Sequence, residues 1–256
     1  MTRTLVTGSA QGIGAEVARA LVALGHEVVV HGRDAARARV ALEAVPGAAG
    51  VVVGGLDTLA GTRAVAADAV AQGPFDVIVH NAAVTPHRDE RTVSEDGLEV
   101  SIQVNAVAPY LLTCLVPLPS RLVYVGSDAS DHGAWNLADF GWTERPWDRW
   151  QAYNDSKLYV AMLALEAAAR YPGTISTVVH PGWVQTAMGG PGAQIPVAAG
   201  ADSIVWLASS DEPRAVVTGR FIDTRAERAL NPLALDPSLR SELMAKFAEV
   251  TGADLP

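Results

Sequence analysis

Tyr153 and Lys157 stand four residues apart in a chain of 256 residues that has only two lysines among its 19 basic side chains. They open an alanine-rich stretch, 156–170, whose apolar residues recur at helical spacing. Because residues i and i+4 share one face of a helix, an ammonium would lie beside a phenol, stabilise the phenolate and lower the tyrosine pKa from about 10 toward neutrality. The pattern predicts a proton donor and acceptor for an alcohol or carbonyl oxygen. The alternative is a surface pair on a solvated helix.

A glycine-rich segment near the N-terminus indicates a second kind of chemistry. Residues 7–14, Thr-Gly-Ser-Ala-Gln-Gly-Ile-Gly, follow a short apolar run and open a helical pattern. Gly8 would allow a tight turn, while Gly12 and Gly14 would let a pyrophosphate approach the backbone. The N-terminus of the following helix would offer N–H groups and a positive dipole end to that anion. The spacing predicts a dinucleotide site; three glycines that serve only a strand–helix turn are the alternative.

Short apolar runs alternate along the chain with longer helical patterns. The predicted strands are 4–7, 28–31, 51–53, 77–80, 122–125, 177–180 and 221–223. The predicted helices are 13–24, 35–45, 59–71, 98–116, 156–170, 197–209 and 237–250. Most strand runs are continuous, as expected for parallel strands covered on both faces. The sequence predicts an α/β fold: one doubly wound domain over 1–256, with a parallel sheet of about seven strands and helices on both faces.

The composition limits the classes of partner. Hydrophobic residues make up 49% of the chain and charged residues 18%, which is typical of an ordered globular protein. A net charge of −9 argues against a nucleic-acid partner. Cys114 is the only cysteine, which excludes an internal disulfide and argues against a metal site. No run approaches the roughly 18 apolar residues of a membrane span, so we expect a cytoplasmic protein with no membrane partner.

Two long loops are predicted beyond the carboxyl ends of strands, where open α/β sheets bind ligands. Residues 128–151 hold four of the six tryptophans, and residues 186–196 hold three glycines and two prolines. Because aromatic surfaces dominate the linings of ligand sites, the first loop is predicted to wall an apolar pocket. The alternative is that its tryptophans only pin the loop to the domain.

Together with the glycine loop, five further segments form a pattern that resembles the short-chain dehydrogenase/reductase family. They are His80-Asn81-Ala82-Ala83, Val104-Asn105, Val125-Gly126-Ser127, Tyr153-x-x-x-Lys157 and Pro181-Gly182-Trp183-Val184-Gln185-Thr186. The details around the last two are similar to the retinol-dehydrogenase-like branch. The resemblance covers nearly the whole chain and implies a single NAD(P)-binding Rossmann domain, with substrate loops at 128–151 and 186–196.

The resemblance implies a catalytic role for four residues. Tyr153 would be the general acid and base, and Ser127 would hydrogen-bond the substrate oxygen. Lys157 would bind the nicotinamide ribose hydroxyls and lower the pKa of Tyr153, while Asn105 would hold a water of the proton relay. Ser130 competes with Ser127, but only Ser127 directly ends a predicted strand. The alternatives are a satisfied helix amide for Asn105 and a helix cap for Ser127.

The resemblance also implies a set of cofactor-binding residues. They are Gly8, Gln11, Gly12, Ile13, Gly14, Arg33, Leu56, Asn81, Ala82, Tyr153, Lys157, Pro181, Gly182, Val184 and Thr186. At the tip of the second strand, an acidic residue would accept the ribose 2′-hydroxyl, whereas an arginine would accommodate a 2′-phosphate. Gly32 stands at the acidic position and Arg33 follows, so NADP(H) is favoured over NAD(H). Asp34 is predicted to pair with Arg33, to bind ribose or to cap the next helix.

Three features depart from the family pattern. Gly55-Leu56 replaces the aspartate often set against adenine, so only backbone contacts are expected there. His80 and Ala83 replace the first asparagine and the glycine of the usual Asn-Asn-Ala-Gly. Pro117 and Pro119 shorten the helix that commonly packs between subunits, so a monomer or a dimer is expected rather than the family's tetramer.

The predicted function is hydride transfer between NADP(H) and a carbonyl or secondary alcohol of a fairly apolar small molecule. One alternative is an NAD-dependent alcohol dehydrogenase, which Arg33 argues against. Another is a catalytically silent, NADP-sensing binding protein, which would be expected to lose Tyr153 or Lys157.

Overall fold

One sheet of eight strands organises the part of the chain that the structure, a computed structural model, describes: residues 1–85 and 90–256. The strands are β1 (Arg3–Val6), β2 (Glu27–Gly32), β3 (Gly50–Val53), β4 (Val77–His80), β5 (Arg121–Val125), β6 (Ile175–His180), β7 (Arg220–Asp223) and β8 (Ala226–Arg228). The helices are α1 (Gly12–Ala23), α2 (Ala35–Ala44), α3 (Leu59–Gln72), α4 (Val100–Ile102), α5 (Ala108–Leu115), α6 (Arg149–Arg170), α7 (Val197–Ser209), α8 (Pro232–Leu235) and α9 (Pro237–Thr251).

The strand order defines the fold and the place of its ligand crevice. The strands lie in the order β3-β2-β1-β4-β5-β6-β7-β8, with β1 to β7 parallel and β8 antiparallel to β7. The order reverses between β1 and β4, so the loops after these strands border a crevice at the carboxyl edge of the sheet. The doubly wound α/β prediction is confirmed. The structure adds β8, whose Ala-Glu-Arg sequence has no apolar run to indicate a strand.

The central strands are buried on both faces. Leu5 and Ile78 belong to one apolar cluster, whereas the adjacent Val6 and Val79 belong to another. Since successive side chains of a strand point to opposite faces, a sheet covered by helices on both sides needs apolar residues at every position. This explains the continuous apolar runs of the sequence.

The helix that carries Tyr153 and Lys157 begins earlier than predicted. α6 starts at Arg149, inside the segment 128–151 that the sequence suggests is entirely loop. Asp148 caps it: its carboxylate accepts hydrogen bonds from the backbone N–H groups of Trp150 and Gln151, at 2.9 and 3.1 Å. The cap fixes the first turn of the helix. A 3-10 turn, Asp128–His132, occupies the other end of the segment.

The predicted continuous helix 98–116 is wrong in its middle. A π-helical turn, Gln103–Val107, separates α4 from α5. Pro109 has no N–H to donate to the carbonyl of Asn105, four residues earlier, as a regular α-helix would require. α5 then ends at Leu115, before Pro117, as the prolines predict. Within the described residues, no helix is long and apolar enough to cross a membrane.

Candidate active site

The glycine loop after β1 is shaped by close backbone packing. Gly8 has a φ of 66°, and a Cβ at this position would lie 2.8 Å from the Cα of Ala82. A Cβ on Gly14 would overlap the side-chain nitrogen of Asn81 and the carbonyl of Gly8. Side chains at these positions would therefore push the loop after β4 and the glycine loop apart. The N-terminus of α1, which follows this loop, would bind a pyrophosphate through its N–H groups.

The loop after β4 is fastened to the end of β1. The Thr7 hydroxyl oxygen accepts hydrogen bonds from the backbone N–H groups of Asn81 and Ala82, both at 3.0 Å. The Asn81 side chain donates to the Thr7 carbonyl at 2.8 Å. Two predicted cofactor residues, Asn81 and Ala82, are thus placed directly beside the glycine loop, across the crevice at the β1–β4 boundary.

His31, which the sequence analysis did not assign a role, holds the glycine loop from the other side. Its Nδ1 accepts a hydrogen bond from the Gly8 N–H at 2.9 Å, and its Nε2 lies 2.9 Å from the Gly54 carbonyl, which can accept its proton. Burial lowers the pKa of His31, so the neutral ring is favoured. One imidazole thereby links the ends of β1, β2 and β3. A histidine within an apolar strand gave no signal of this contact.

The tip of β2 carries cationic side chains in place of a carboxylate. Arg33 is exposed and pairs with Asp34 at 3.4 Å. Asp34 caps α2 by accepting a hydrogen bond from the Arg37 N–H at 2.8 Å, and this bond lowers the Asp34 pKa. Two of the roles considered for Asp34, pairing and capping, are therefore both present. Arg37 has no role in the sequence-based prediction. Its guanidinium donates a hydrogen bond to the side-chain oxygen of Gln11, in the glycine loop, at 2.7 Å.

Ser127, Tyr153 and Lys157 converge from β5 and α6. Ser127 follows the strand, and its hydroxyl lies close enough to the phenol of Tyr153 to influence the pKa of that phenol. The Lys157 ammonium lies 5.7 Å from the centroid of the Tyr153 ring and donates to the Val125 carbonyl at 2.9 Å. Ser130, the competing serine, is buried, and its carbonyl accepts a hydrogen bond from Asn231. The geometry therefore favours Ser127 as the hydroxyl that meets a substrate oxygen.

The electrostatics of Tyr153 differ from the expectation. Burial raises the pKa of Tyr153, while the neighbouring Ser127 hydroxyl opposes the rise. Burial also lowers the pKa of Lys157 to about 8. The ammonium lies 5.7 Å from the ring centroid and donates its hydrogen bond to a carbonyl rather than to the phenol oxygen. It therefore does not lower the pKa of Tyr153 toward neutral pH. The protein alone favours the protonated phenol.

Asn105 lies in the π-helical turn, and protein groups engage its side-chain amide. Its oxygen accepts from the Val84 N–H at 2.8 Å, and its nitrogen donates to the Val84 carbonyl at 2.9 Å and to the Ser156 hydroxyl at 3.0 Å. Ser156 in turn donates to the carbonyl of Tyr153 at 2.7 Å. Asn105 therefore joins the loop after β4 to the first turns of α6. These contacts give the side chain a structural role, as the alternative of a satisfied helix amide expects.

The segment 186–196 folds back on the glycine loop. Val184 forms a parallel bridge with Ile195, and the Gln185 N–H donates to the Ile195 carbonyl at 2.9 Å. A Cβ on Gly12 would lie 3.3 Å from the methyl group of Thr186, which shows how closely the two segments approach. The other predicted cofactor residues of this region lie in the same turn: Pro181 follows β6, and Gly182 has a φ of 82°.

Two remaining cofactor candidates occupy less open positions. Leu56, after β3, is buried in an apolar cluster, so backbone contacts are what it can offer. Ile13, in the first turn of α1, packs against the cluster on the opposite face of the sheet. Both side chains anchor the loops in which they lie.

The tryptophans of 128–151 divide into packed and exposed side chains. Trp142 is 3% exposed, with the Arg145 guanidinium 3.4 Å from its ring centroid, and Trp147 packs at right angles to it. Trp135 packs edge-on against Tyr159 in the same core. These three pin the loop to the domain, as the alternative interpretation expects. By contrast, Trp150 is exposed, as is Trp183 at the start of the 186–196 segment.

Comparisons with known proteins identify the family of the chain. The short chain dehydrogenase family model matches residues 2–138. Short-chain dehydrogenase chyC of Penicillium rubens is 36% identical over 100% of both chains. Human retinol dehydrogenase 14 is 31% identical over 93% of this chain and 83% of its own length. The crystal structure of an uncharacterised protein from Mycobacterium Paratuberculosis superposes with a TM-score of 0.86 at 25% identity, covering 100% of this chain and 95% of that one.

The chain is an oxidoreductase that belongs to the short-chain dehydrogenase family, and it is similar to the retinol dehydrogenases within that family. Members of the family bind nicotinamide cofactors and act on small molecules. The resemblance seen in the sequence motifs is thus confirmed over the whole chain.

Proposed function

We propose that this protein transfers a hydride between NADP(H) and a carbonyl or secondary alcohol of an apolar small molecule. The observation that carries the proposal is the convergence of Ser127, Tyr153 and Lys157 beside the glycine loop. Bound nicotinamide would supply or accept the hydride. The N–H groups at the N-terminus of α1 would bind its pyrophosphate, and Lys157 would hold its ribose.

The residues of the chain supply the proton and orient the substrate. In the reductive direction Tyr153 donates its phenolic proton to the substrate oxygen, and the raised pKa of Tyr153 keeps that proton available at neutral pH. Ser127 donates a hydrogen bond to the same oxygen as negative charge develops there. The Asn105–Ser156–Tyr153 hydrogen bonds hold the first turns of α6, so the phenol is positioned before the substrate arrives.

The tip of β2 supports NADP(H). A carboxylate at Gly32 could accept the ribose 2′-hydroxyl, but a Cβ there would lie 2.6 Å from the Cα of Ala38. Arg33 is exposed beside this position, and Arg37 reaches from α2 to Gln11. Asp34, the acceptor at this tip, is engaged by Arg33 and by the cap of α2. Two guanidinium groups beside it favour a 2′-phosphate over a free 2′-hydroxyl.

An apolar substrate is supported by two observations. Retinol dehydrogenase 14 is named for an apolar alcohol. Trp150 and Trp183 leave large aromatic surfaces exposed, at 57% and 58%. A cytoplasmic location and a monomeric or dimeric state belong to the same proposal, the latter because α5 ends at Leu115.

The experiment is NADPH and NADH oxidation measured across a panel of carbonyl compounds, with Tyr153→Phe as the test variant. The variant should lose about 10²- to 10⁴-fold in turnover and keep its affinity for NADPH, because only the phenolic proton is removed. Tyr171→Phe, at the carboxyl end of α6, is the matched control. Unchanged kcat in Tyr153→Phe would contradict the catalytic assignment. Tight NADPH binding without turnover by wild type on any carbonyl would support the silent binding protein instead.

A further inference from the structure

Asp128 follows Ser127 and directly contacts its hydroxyl. The Ser127 hydroxyl donates to a carboxylate oxygen of Asp128 at 3.1 Å, while the Ala129 N–H donates to the same hydroxyl at 3.2 Å. The Ser127 proton is therefore directed at the carboxylate before a substrate oxygen is present. Asp128 begins the 3-10 turn, and its side chain is 61% exposed.

His180, at the end of β6, contacts Asp128 without cancelling its charge. The Asp128 N–H donates to Nδ1 of His180 at 3.3 Å, and Nε2 lies 3.8 Å from the carboxylate. Burial lowers the pKa of His180, while the charges of Asp128 and Asp223 oppose this shift. Since the ring accepts a proton at Nδ1, its neutral form is the one that the contact requires.

The other charged groups that face this cluster lie on the 3-10 turn, β7, β8 and α6. Arg228 on β8 pairs with Asp131 at 2.6 Å and approaches Asp223 at 3.9 Å. Lys157 on α6 is bonded to the Val125 carbonyl. The cations near the cluster therefore have partners other than Asp128. Asp128 is the acidic group whose charge raises the pKa of Tyr153.

We propose that Asp128 is a positioning residue: its carboxylate holds the Ser127 hydroxyl and places a negative charge near the Tyr153 phenol, so that the site is biased toward carbonyl reduction. This inference rests on the proposed function. Reduction requires a protonated phenol, and a nearby negative charge stabilises that form. When the substrate oxygen enters, the Ser127 hydrogen turns from Asp128 to that oxygen, where negative charge is developing. Alcohol oxidation needs the phenolate, which Asp128 disfavours.

Asp128→Asn tests the proposal because asparagine keeps the shape and an acceptor oxygen but removes the charge. The pH at which carbonyl reduction falls should move down by about half a unit to one unit, and the rise of alcohol oxidation should move down with it. Asp131→Asn removes an equal charge from the same 3-10 turn and is the matched control. In Asp131→Asn, the pH at which carbonyl reduction falls should equal the wild-type value. The proposal would be overturned if this pH were unchanged or higher in Asp128→Asn, or if it fell equally in Asp131→Asn.

A second measurement does not depend on turnover. Tyrosinate absorbance is titrated in the wild-type and Asp128→Asn backgrounds, each with its Tyr153→Phe counterpart subtracted to isolate one phenol. We expect a lower midpoint for Tyr153 in the asparagine background, and an equal or higher midpoint would refute the role of Asp128. Absence of any wild-type turnover would count against the proposed function, while this titration would still decide the contribution of Asp128.

Discussion

The Lys157 ammonium donates a hydrogen bond to the main-chain carbonyl of Val125, 2.9 Å away and two residues before Ser127. This bond ties α6 to the end of β5, so the phenol of Tyr153 and the hydroxyl of Ser127 are fixed relative to each other. Lys157 is 3% exposed and has a neutral partner. Burial therefore lowers its pKa from 10.5 to about 8, which makes the ammonium a cost to folding at neutral pH.

We expect that cost to appear in the pH dependence of stability. Between about pH 8 and the ordinary lysine pKa of 10.5, the unfolded chain holds this proton and the folded protein does not. The Lys157 contribution to the free energy of unfolding therefore rises with pH through that window. Denaturant unfolding at about pH 7 and about pH 10 measures the difference in the free energy of unfolding between wild type and Lys157→Met. From the lower to the higher pH, this difference should change by about 2 kcal/mol in favour of wild type.

The other lysine of the chain is the matched control for this measurement. Lys246 pairs with Glu249 at 3.0 Å on the surface of α9. The difference between wild type and Lys246→Met should be nearly the same at both pH values. A difference for Lys157→Met that is also independent of pH would show that the ammonium is better solvated than its burial indicates.

The second prediction concerns the cationic side chains at the tip of β2. Arg33→Ala and Arg37→Ala should each lower kcat/KM with NADPH by about ten-fold or more, because a charge-assisted contact to phosphate contributes about 1.5–3 kcal/mol. The values with NADH should change little. Arg39→Ala is the control, since Arg39 is exposed two residues further along α2 and projects from a different face. Equal losses with both cofactors would mean that the arginines only support the glycine loop.

The third prediction is that Gly32→Asp fails as a switch to NAD. An aspartate here would offer the missing acceptor, but its Cβ would lie 2.6 Å from both the Ala38 Cα and the Arg37 carbonyl carbon. Overpacking of this kind costs about 1–3 kcal/mol. Chemical denaturation should therefore show a clear loss of stability. Gly173→Ala, where no atom lies within 4 Å of the new Cβ, should be tolerated. A stable Gly32→Asp variant that prefers NADH would refute the packing argument.

The fold and the centre of the site could be predicted because they depend on local patterns. Parallel strands bring their carboxyl ends to one edge, so residues such as Gly8, Ser127 and Asn81 that follow strands are expected to meet there. The positions of these residues directly after the strand patterns were sufficient to predict that they meet. The eighth strand was missed because its three residues are too short and too polar to show a period.

Contacts made by long side chains across loops could not be predicted. Arg37 reaches Gln11 only because α2 packs beside the glycine loop, and no spacing in the sequence encodes that distance. The start of α6 at Arg149, by contrast, could have been predicted from the sequence. Aspartate is a preferred N-cap residue, and Asp148 stands directly before the first residue of the helix. The raised pKa of Tyr153 was missed because sequence spacing places an ammonium nearby but does not show the degree of burial.

The last prediction concerns a buried ion pair that fastens the segment 128–151 to the part of α6 that carries Tyr153. Asp155, which is fully buried between Tyr153 and Lys157 in the sequence, accepts from the Ala134 N–H at 2.8 Å and pairs with Arg145 at 3.1 Å. Arg145→Met would leave this carboxylate buried without its cation, which costs about 3–5 kcal/mol. Burial already raises the pKa of Asp155, and loss of the guanidinium would raise it further. Denaturant unfolding measures the loss.

A double-mutant cycle separates charge from shape in that loss. Arg145 also pairs with Asp139 at 3.3 Å, but that carboxylate keeps hydrogen bonds from the N–H groups of residues 144 and 145. Asp155→Asn combined with Arg145→Met removes the more deeply buried of the two charges, so the double variant should recover part of the stability that Arg145→Met loses. Arg214→Met, an exposed arginine that donates to the Arg225 carbonyl, is the control and should lose less than about 1 kcal/mol. Because Asp155 lies on the helix of Tyr153 and Lys157, the Arg145→Met variant should also lose kcat/KM for bulky carbonyls more than for small ones. If the single and double variants are equally unstable, the loop depends on packing around Trp142 rather than on the ion pair.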